Sequence, residues 1–286
     1  MPLLQEKLKA PPLPLSVVAR PRLNDFFALN ERIRLLVVQA PSGYGKTTLL
    51  AERLPVLEQE AAWLRLDQRD NQPERFLSYW QAAIQSLLGD HMPLSPLAEG
   101  AECVEQLERW LAELPEQRAA CRLVVDEFEH LTHPDILAGL AHWLRHQPPW
   151  LTLTMASRSR PALGLASLRL RGELEEIDLS ALAFDSEEAQ TLCAEQLSFP
   201  PTRVSLERAL RRSGGWVMAL NWLVERTTTR AGFDALVERL NGGHPDFVAW
   251  FDELLAEALP PEERELMLQL GVLERFSPEL MARLLE

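Results

Sequence analysis

The stretch Ala40-Pro41-Ser42-Gly43-Tyr44-Gly45-Lys46-Thr47 carries the residue types that hold a chain of phosphates. It fits the pattern G-x-x-x-x-G-K-[ST] at every chemically active position, with Ala40 where the first glycine would stand. That glycine eases the turn out of a strand, and alanine is the smallest side chain that can replace it. Gly43 and Gly45 let the backbone curl so that its N–H groups point inward at phosphate oxygens. Lys46 supplies a mobile positive charge for β- and γ-phosphates, and the Thr47 hydroxyl is a candidate Mg²⁺ ligand. A helix starting at this point aims its N-terminal dipole at the same anion. Residues Ala40 to Thr48 are therefore the expected cradle of a nucleoside triphosphate.

Two further places complete that chemistry. In LVVDEFEH an apolar run ends in Asp126, where a carboxylate can hold a nucleotide-bound Mg²⁺ through its waters. Glu127 is the candidate to orient or deprotonate an attacking water. Glu129 nearby reads as surface charge. In MASRSRP, Arg158 stands just past another apolar run and can read a γ-phosphate with its two-pronged guanidinium, with Arg160 as the alternative. Lys46, Glu127 and Arg158 are thus the candidate catalytic residues, and Thr47 and Asp126 the candidate metal ligands.

These groups meet only if a sheet brings its strand ends together. RLLVVQA (34–40), AAWLRLD (61–67), CRLVVDEF (121–128) and LTLTMAS (151–157) are short continuous apolar runs, the mark of strands buried on both faces of a parallel sheet. LEEIDLS (174–180) is a weaker fifth because it alternates. Helix-like stretches lie between them, and Pro73 is well placed for a first helical turn. The order predicts an α/β fold, a parallel sheet flanked by helices. In such open sheets ligands gather at the carboxyl edge, which is where all three motifs fall. After about residue 180 the strands stop and an all-helical part begins. Asp185 and Glu188 have the spacing of a capping box, and Gly214 with Gly215 suits a helix terminus.

Composition narrows the classes. With 47% hydrophobic residues the 286-residue chain can bury a sizeable core. A formal charge of -13 repels phosphate backbones, so direct nucleic-acid contact is not expected from this segment. Cys103, Cys121 and Cys193 are far apart and lack metal-ligand spacing, as in a reduced compartment. No apolar run approaches the roughly 20 residues that span a bilayer, so no membrane partner is expected. Together with the absence of a signal-peptide pattern, this predicts a cytoplasmic protein.

The strings SGYGKTT, LDQRDNQPERFLSYWQAAI, VVDEFEH, SRSRPALGLASLRLRGEL, LAFDSEEAQ and SGGWVMALNWL resemble, in order, the N-terminal ATPase module of MalT-like, large ATP-binding LuxR-type transcriptional regulators. These belong to the STAND class of P-loop ATPases. The resemblance runs from about Ala19 to the end, and a small residue other than glycine at the loop's first position is common in that family. It implies an ADP-bound closed form and an ATP-bound form that self-associates. It also implies a nucleotide domain followed by a helical domain and a winged-helix domain. The corresponding divisions here are an arm (1–30) closing over the nucleotide, a P-loop domain (31–180), a helical domain (181–242) and the start of a winged helix (243–286), with the chain ending inside it. Lys46, Thr47 and Asp126 take the ATP/ADP and Mg²⁺ roles by this resemblance, and Arg158 that of phosphate sensor. Arg22, in ARPRL, becomes a candidate contact to the base, and Trp216, in GGWVMAL, a candidate neighbour of the nucleotide.

The leading expectation is an ATP/ADP-binding, slowly hydrolysing switch module that controls self-association. A nucleotide-dependent interaction scaffold without significant hydrolysis is the alternative. A small-molecule kinase would share the loop, but the long helical tail lacks an obvious acceptor-binding lid rich in arginines.

Overall fold

The computed structural model describes residues 3–28, 32–57, 59–241 and 243–270. Five strands, β1 (Leu35–Gln39), β2 (Glu60–Arg65), β3 (Cys121–Asp126), β4 (Leu151–Ser157) and β5 (Leu174–Ile177), form one sheet in the order β2-β3-β4-β1-β5. Every pairing is parallel. All five expected strands are present, the weak fifth as an edge beside β1. The twelve described helices are α1 (Lys46–Arg53), α2 (Pro73–Leu88), α3 (Cys103–Glu113), α4 (Pro134–His146), α5 (Ala166–Arg171), α6 (Leu179–Leu182), α7 (Ser186–Gln196), α8 (Arg203–Ser213), α9 (Val217–Glu225), α10 (Arg230–Arg239), α11 (Pro245–Ala258) and α12 (Pro261–Leu270).

Strand alternation divides the core in two. Leu35, Val37, Leu123, Val125, Leu153 and Met155 face α2, α3 and α4, which bring Phe76, Trp80, Trp110 and Trp143 onto them. Trp80 meets Trp143 edge-on, with centroids 5.3 Å apart. Each such fully buried side chain contributes roughly 2 kcal/mol or more over exposure. The other face, with Leu36, Val38, Val124, Ala156 and Ile177, is covered by Leu49 and Leu50 of α1 and by Leu23 and Phe27 of a 3₁₀ turn, Pro21–Phe27. Helix α1 has eight residues, about 12 Å of length. That leaves the amino-terminal ends of the strands on this face to be covered by other parts of the chain.

Beyond β5 every described element is a helix. Phe184, Leu192, Leu206, Leu220, Leu223, Phe233 and Val237 make a third core between α7, α8, α9 and α10. The capping box forms as its spacing predicts: Asp185 accepts from the Glu188 amide at 2.9 Å, and Glu188 accepts from the Asp185 amide at 3.2 Å. Gly214 ends α8 in the left-handed conformation.

The arm reaches both halves. Lys7 is buried and pairs with Asp67 at 2.8 Å and with Asp70, while Val18 joins the third core. Helices α11 and α12 lie within the stretch expected to open a winged helix, and residues 271–286, on which that expectation also rests, lie outside the described residues.

Candidate nucleotide site

β1 is buried on both faces and delivers the chain to its carboxyl end, where Ala40 N donates to the Ser157 carbonyl of β4 at 3.3 Å. From there the loop turns on Gly43 (φ 82°) and Gly45 (φ 77°), a backbone region that L side chains enter only with strain. Gly45 caps α1 without any side-chain acceptor, so the first-turn N–H groups of α1 stay available to an anion.

Lys46 folds back over the loop, its Nζ donating to the carbonyls of Ala40 at 2.7 Å and Pro41 at 3.1 Å. Burial lowers its pKa, against the pull of the carboxylates of Glu129, Asp126 and Glu127. Thr47 Oγ1 donates to Asp126, 2.9 Å from Oδ2. Asp126 is 1% exposed, and burial pushes its carboxyl up to about 6 despite the Thr47 hydrogen bond. A buried carboxylate beside a hydroxyl suits a hard divalent cation. Among the described residues no cluster of three acidic, imidazole or thiol groups could hold an ion. A cation at Thr47 and Asp126 would therefore complete its shell with water and phosphate oxygens.

Glu127 takes a left-handed backbone conformation (φ 58°), alone among the described non-glycine residues. Its carboxylate is turned onto neighbouring cations: Arg65 Nη2 donates to Oε1 at 2.8 Å, and His130 Nε2 lies 3.5 Å from Oε2. Burial would raise the Glu127 pKa, but His130 and Arg65 outweigh it and the net shift is downward. The same hydrogen bond raises His130.

Arg158 Nε pairs with Glu129 at 2.9 Å, and its amide donates to the same carboxylate at 3.1 Å. Glu129 is thus no solvated surface charge: its side chain is 14% exposed and anchors Arg158, because the 3₁₀ turn Phe128–His130 brings it back toward the end of β4. Glu127, Glu129, Arg158, Arg65 and His130 line one cavity of about 650 Å³.

On the other side of the loop, Tyr44, Gly45 and Thr48 line a smaller cavity of about 140 Å³ with Val18, Phe184 and Asn221. The arginine facing it is Arg20. Arg22, the candidate contact to the base, does not line this cavity, and like Arg20 it is engaged with Glu188 and the Ala181 carbonyl: its Nε lies 2.8 Å from Glu188 Oε1, and its Nη1 donates to the Ala181 carbonyl at 2.7 Å. Pro21 starts a 3₁₀ turn between the two arginines, and both guanidinium groups converge on Glu188.

Trp216 does reach the loop. Its Nε1 donates to the Ser42 carbonyl at 3.0 Å, and the Met218 amide donates to the Gly43 carbonyl, also at 3.0 Å. The structure thus joins loop, Asp126 and Trp216, gathers Glu127 with Arg158, and sets Arg22 apart. Arg65, His130 and Arg20, which the sequence did not single out, also line these cavities. Arg65 ends β2 in register with Asp126, a pairing that the sequence alone does not fix.

Sheet, loop and the Thr47–Asp126 pair define a P-loop ATPase fold. In keeping with that, the chain superposes on a Walker-type ATPase of Pyrococcus abyssi with a TM-score of 0.55, over 94% of this chain and 88% of that one, at 13% identity. No family model matches the chain. Its curated homologues are HTH-type transcriptional regulators named MalT: that of Yersinia enterocolitica is 32% identical over 99% of this chain, and that of Cronobacter sakazakii 33% identical over 98%. The chain spans about a third of those relatives, 32% of each.

Proposed function

We propose that this chain is the ATP/ADP-binding switch module of a MalT-type transcriptional regulator, hydrolysing ATP slowly and controlling self-association through the bound nucleotide. The observation that carries the reading is the pair of hydrogen bonds from Trp216 and Met218 to the carbonyls of Ser42 and Gly43. They tie the helical part directly to the backbone that would wrap the phosphates. Any change of loop shape between a diphosphate and a triphosphate is felt by α9 at once. A nucleotide shifts such an equilibrium only by its preference for one form, and this junction is where a preference can be expressed.

In this reading Lys46 leaves the carbonyls of Ala40 and Pro41 for phosphate oxygens, and Thr47 with Asp126 holds Mg²⁺. The ion supplies charge neutralisation for the phosphates. Arg158, poised by Glu129, senses the γ-phosphate, and Glu127 handles the attacking water. Arg20 and the cavity beside Tyr44 and Thr48 receive the nucleoside end.

The test is to identify the nucleotide that copurifies, then compare sedimentation of the chain with Mg·ADP and Mg·ATP. Tight ADP, slow turnover and a larger species with ATP are expected. Normal nucleotide binding by Lys46→Ala would remove the P-loop assignment.

One observation favours a scaffold without meaningful hydrolysis: Glu127 is held by Arg65 and His130. If single-turnover phosphate release is unchanged in Glu127→Gln, that reading prevails.

A further inference from the structure

Arg122, the second residue of β3, lies on the face covered by α1 and the 3₁₀ turn, and it is 4% exposed. The positions level with it on the opposite face are apolar throughout: Cys121, Leu123, Leu151 and Leu153. On its own face, at this end of the sheet, the strands carry Thr152, Thr154 and Glu175 instead. The registers Arg122–Thr152, Leu36–Thr154 and Leu36–Glu175 put all four side chains on one side.

The Arg122 guanidinium makes one hydrogen bond, from Nη1 to Thr154 Oγ1 at 2.8 Å, and lies over the Phe27 ring, 5.8 Å from its centroid. Its Nε is buried with no acceptor. Among the described residues it forms no ion pair, and burial alone pulls its pKa down to about 10, which leaves it charged at neutral pH. A buried cation without a counter-ion is costly, on the order of a whole core substitution. Among the described residues only the Thr154 hydrogen bond and the Phe27 ring offset that cost.

Arg122 lines a cavity of about 730 Å³. Its walls are apolar at Phe26, Ile33 and Trp150. Arg118, also on the wall, is already paired with Glu60 and does not compete for an anion. The acids are distributed unevenly: Asp25 and Glu116 are exposed at the rim, and Glu175 is half-buried. Such a rim repels phosphates and dianions. Glu175 stands three strands from Arg122 and two residues further along, about 16 Å between backbones, and both side chains line the same cavity.

We propose that this cavity binds a small apolar amino acid, with its carboxylate on Arg122, its ammonium toward Glu175 and its side chain between Phe26 and Trp150. The site is separate from the nucleotide loop, because Arg122 and Asp126 lie four residues apart on β3, about 13 Å. Its occupancy stands apart from the proposed switch function; Mg·ADP in the test below serves only to fill the nucleotide site.

The experiment is calorimetric titration of the whole chain, Mg·ADP-loaded, with L-leucine, L-phenylalanine, 4-methylpentanoate, 3-methylbutylamine and inorganic phosphate. Binding of at least one of the two amino acids is expected, with the deaminated acid at least tenfold weaker and neither amine nor phosphate bound. Arg122→Met should abolish the binding, leave Mg·ADP affinity unchanged and raise the melting temperature, because an uncompensated buried charge is removed. Glu175→Gln should weaken the amino acid and spare 4-methylpentanoate. The proposal is overturned if neither amino acid binds, if binding survives Arg122→Met, if phosphate competes for the site, or if Arg122→Met lowers the melting temperature as loss of a structural anchor would.

Discussion

Trp216 sits on Gly43 with no room to spare: a Cβ built on Gly43 would lie 2.4 Å from Trp216 Nε1 and 2.9 Å from the Met218 Cβ. Gly45, two residues on, has the same left-handed backbone, yet a Cβ there meets nothing within 4 Å. The two loop glycines therefore answer to different demands. Gly45 needs only its φ; Gly43 needs its φ and the contact with the helical part.

Gly43→Ala and Gly45→Ala should separate those demands. Gly45→Ala costs about 1 kcal/mol of backbone strain and leaves the Trp216 contact standing. Gly43→Ala adds the collision, breaks the hydrogen bonds to Ser42 and Gly43, and costs about 3 kcal/mol in all. Chemical denaturation measures both costs. Hydrogen exchange at the Met218 amide should quicken in Gly43→Ala and stay slow in Gly45→Ala. Equal exchange in the two variants would contradict the distinction.

The loop and the strands were legible in the sequence because their signals are local: a fixed spacing of Gly, Lys and Thr, and runs of Leu and Val. Asp126 followed from standing at the end of such a run. Arg65, Glu129 and His130 were not legible, because their roles arise from pairing across strand ends and turns. Arg65 looks like any exposed strand-end arginine until β2 is set level with Asp126. Arg20 and Arg22 differ by two positions in one short string, and only the turn at Pro21 decides which faces the cavity.

Glu188 is the joint between arm and helical part. It accepts from Arg20 and Arg22, caps its own helix, and is 5% exposed, as Arg20 is 4% exposed. Glu188→Ala would leave a buried guanidinium uncompensated and is expected to cost about 4 kcal/mol. Glu188→Gln, which keeps the acceptor oxygen and loses the charge, should cost less. Urea denaturation gives both figures, and a loss under 1 kcal/mol for Glu188→Ala would show the joint to be dispensable.

Asp126 gives a pH signature. Burial raises its pKa from 3.8 to about 6. The folded chain therefore binds this proton more tightly than the unfolded chain. Stability from the group is fully present below about pH 4 and is lost as pH rises through 6. That rise corresponds to roughly 3 kcal/mol. In chelator-treated, nucleotide-free protein, Asp126→Asn should be more stable than the parent at pH 8 by about that amount, and the advantage should vanish near pH 4. Mg·ADP should stabilise the parent and do so much less for the variant. A variant destabilised at pH 8 would contradict this assignment.

The hold on Glu127 predicts an accelerating mutation. Arg65 is half-exposed, 53% at its side chain, and Glu127 is 27% exposed, so the pair is worth about 1 kcal/mol or less after solvent screening. Releasing it should raise the share of Glu127 free to act on water by about fivefold at most. Arg65→Ala is thus expected to speed single-turnover phosphate release two- to fivefold, on the order that such a pair permits. Glu127→Gln should slow it by about a hundredfold or more if this carboxylate is the base. His130 adds a pH arm to the same test. Its pKa is raised by Glu127, so its charge, and its grip on the carboxylate, are lost as pH rises through that value. Release rates in the parent should climb across that interval, and His130→Gln should flatten the climb. Slower release in Arg65→Ala would mean that Arg65 serves the reaction itself, and the restraint on Glu127 would then have no part in setting the rate.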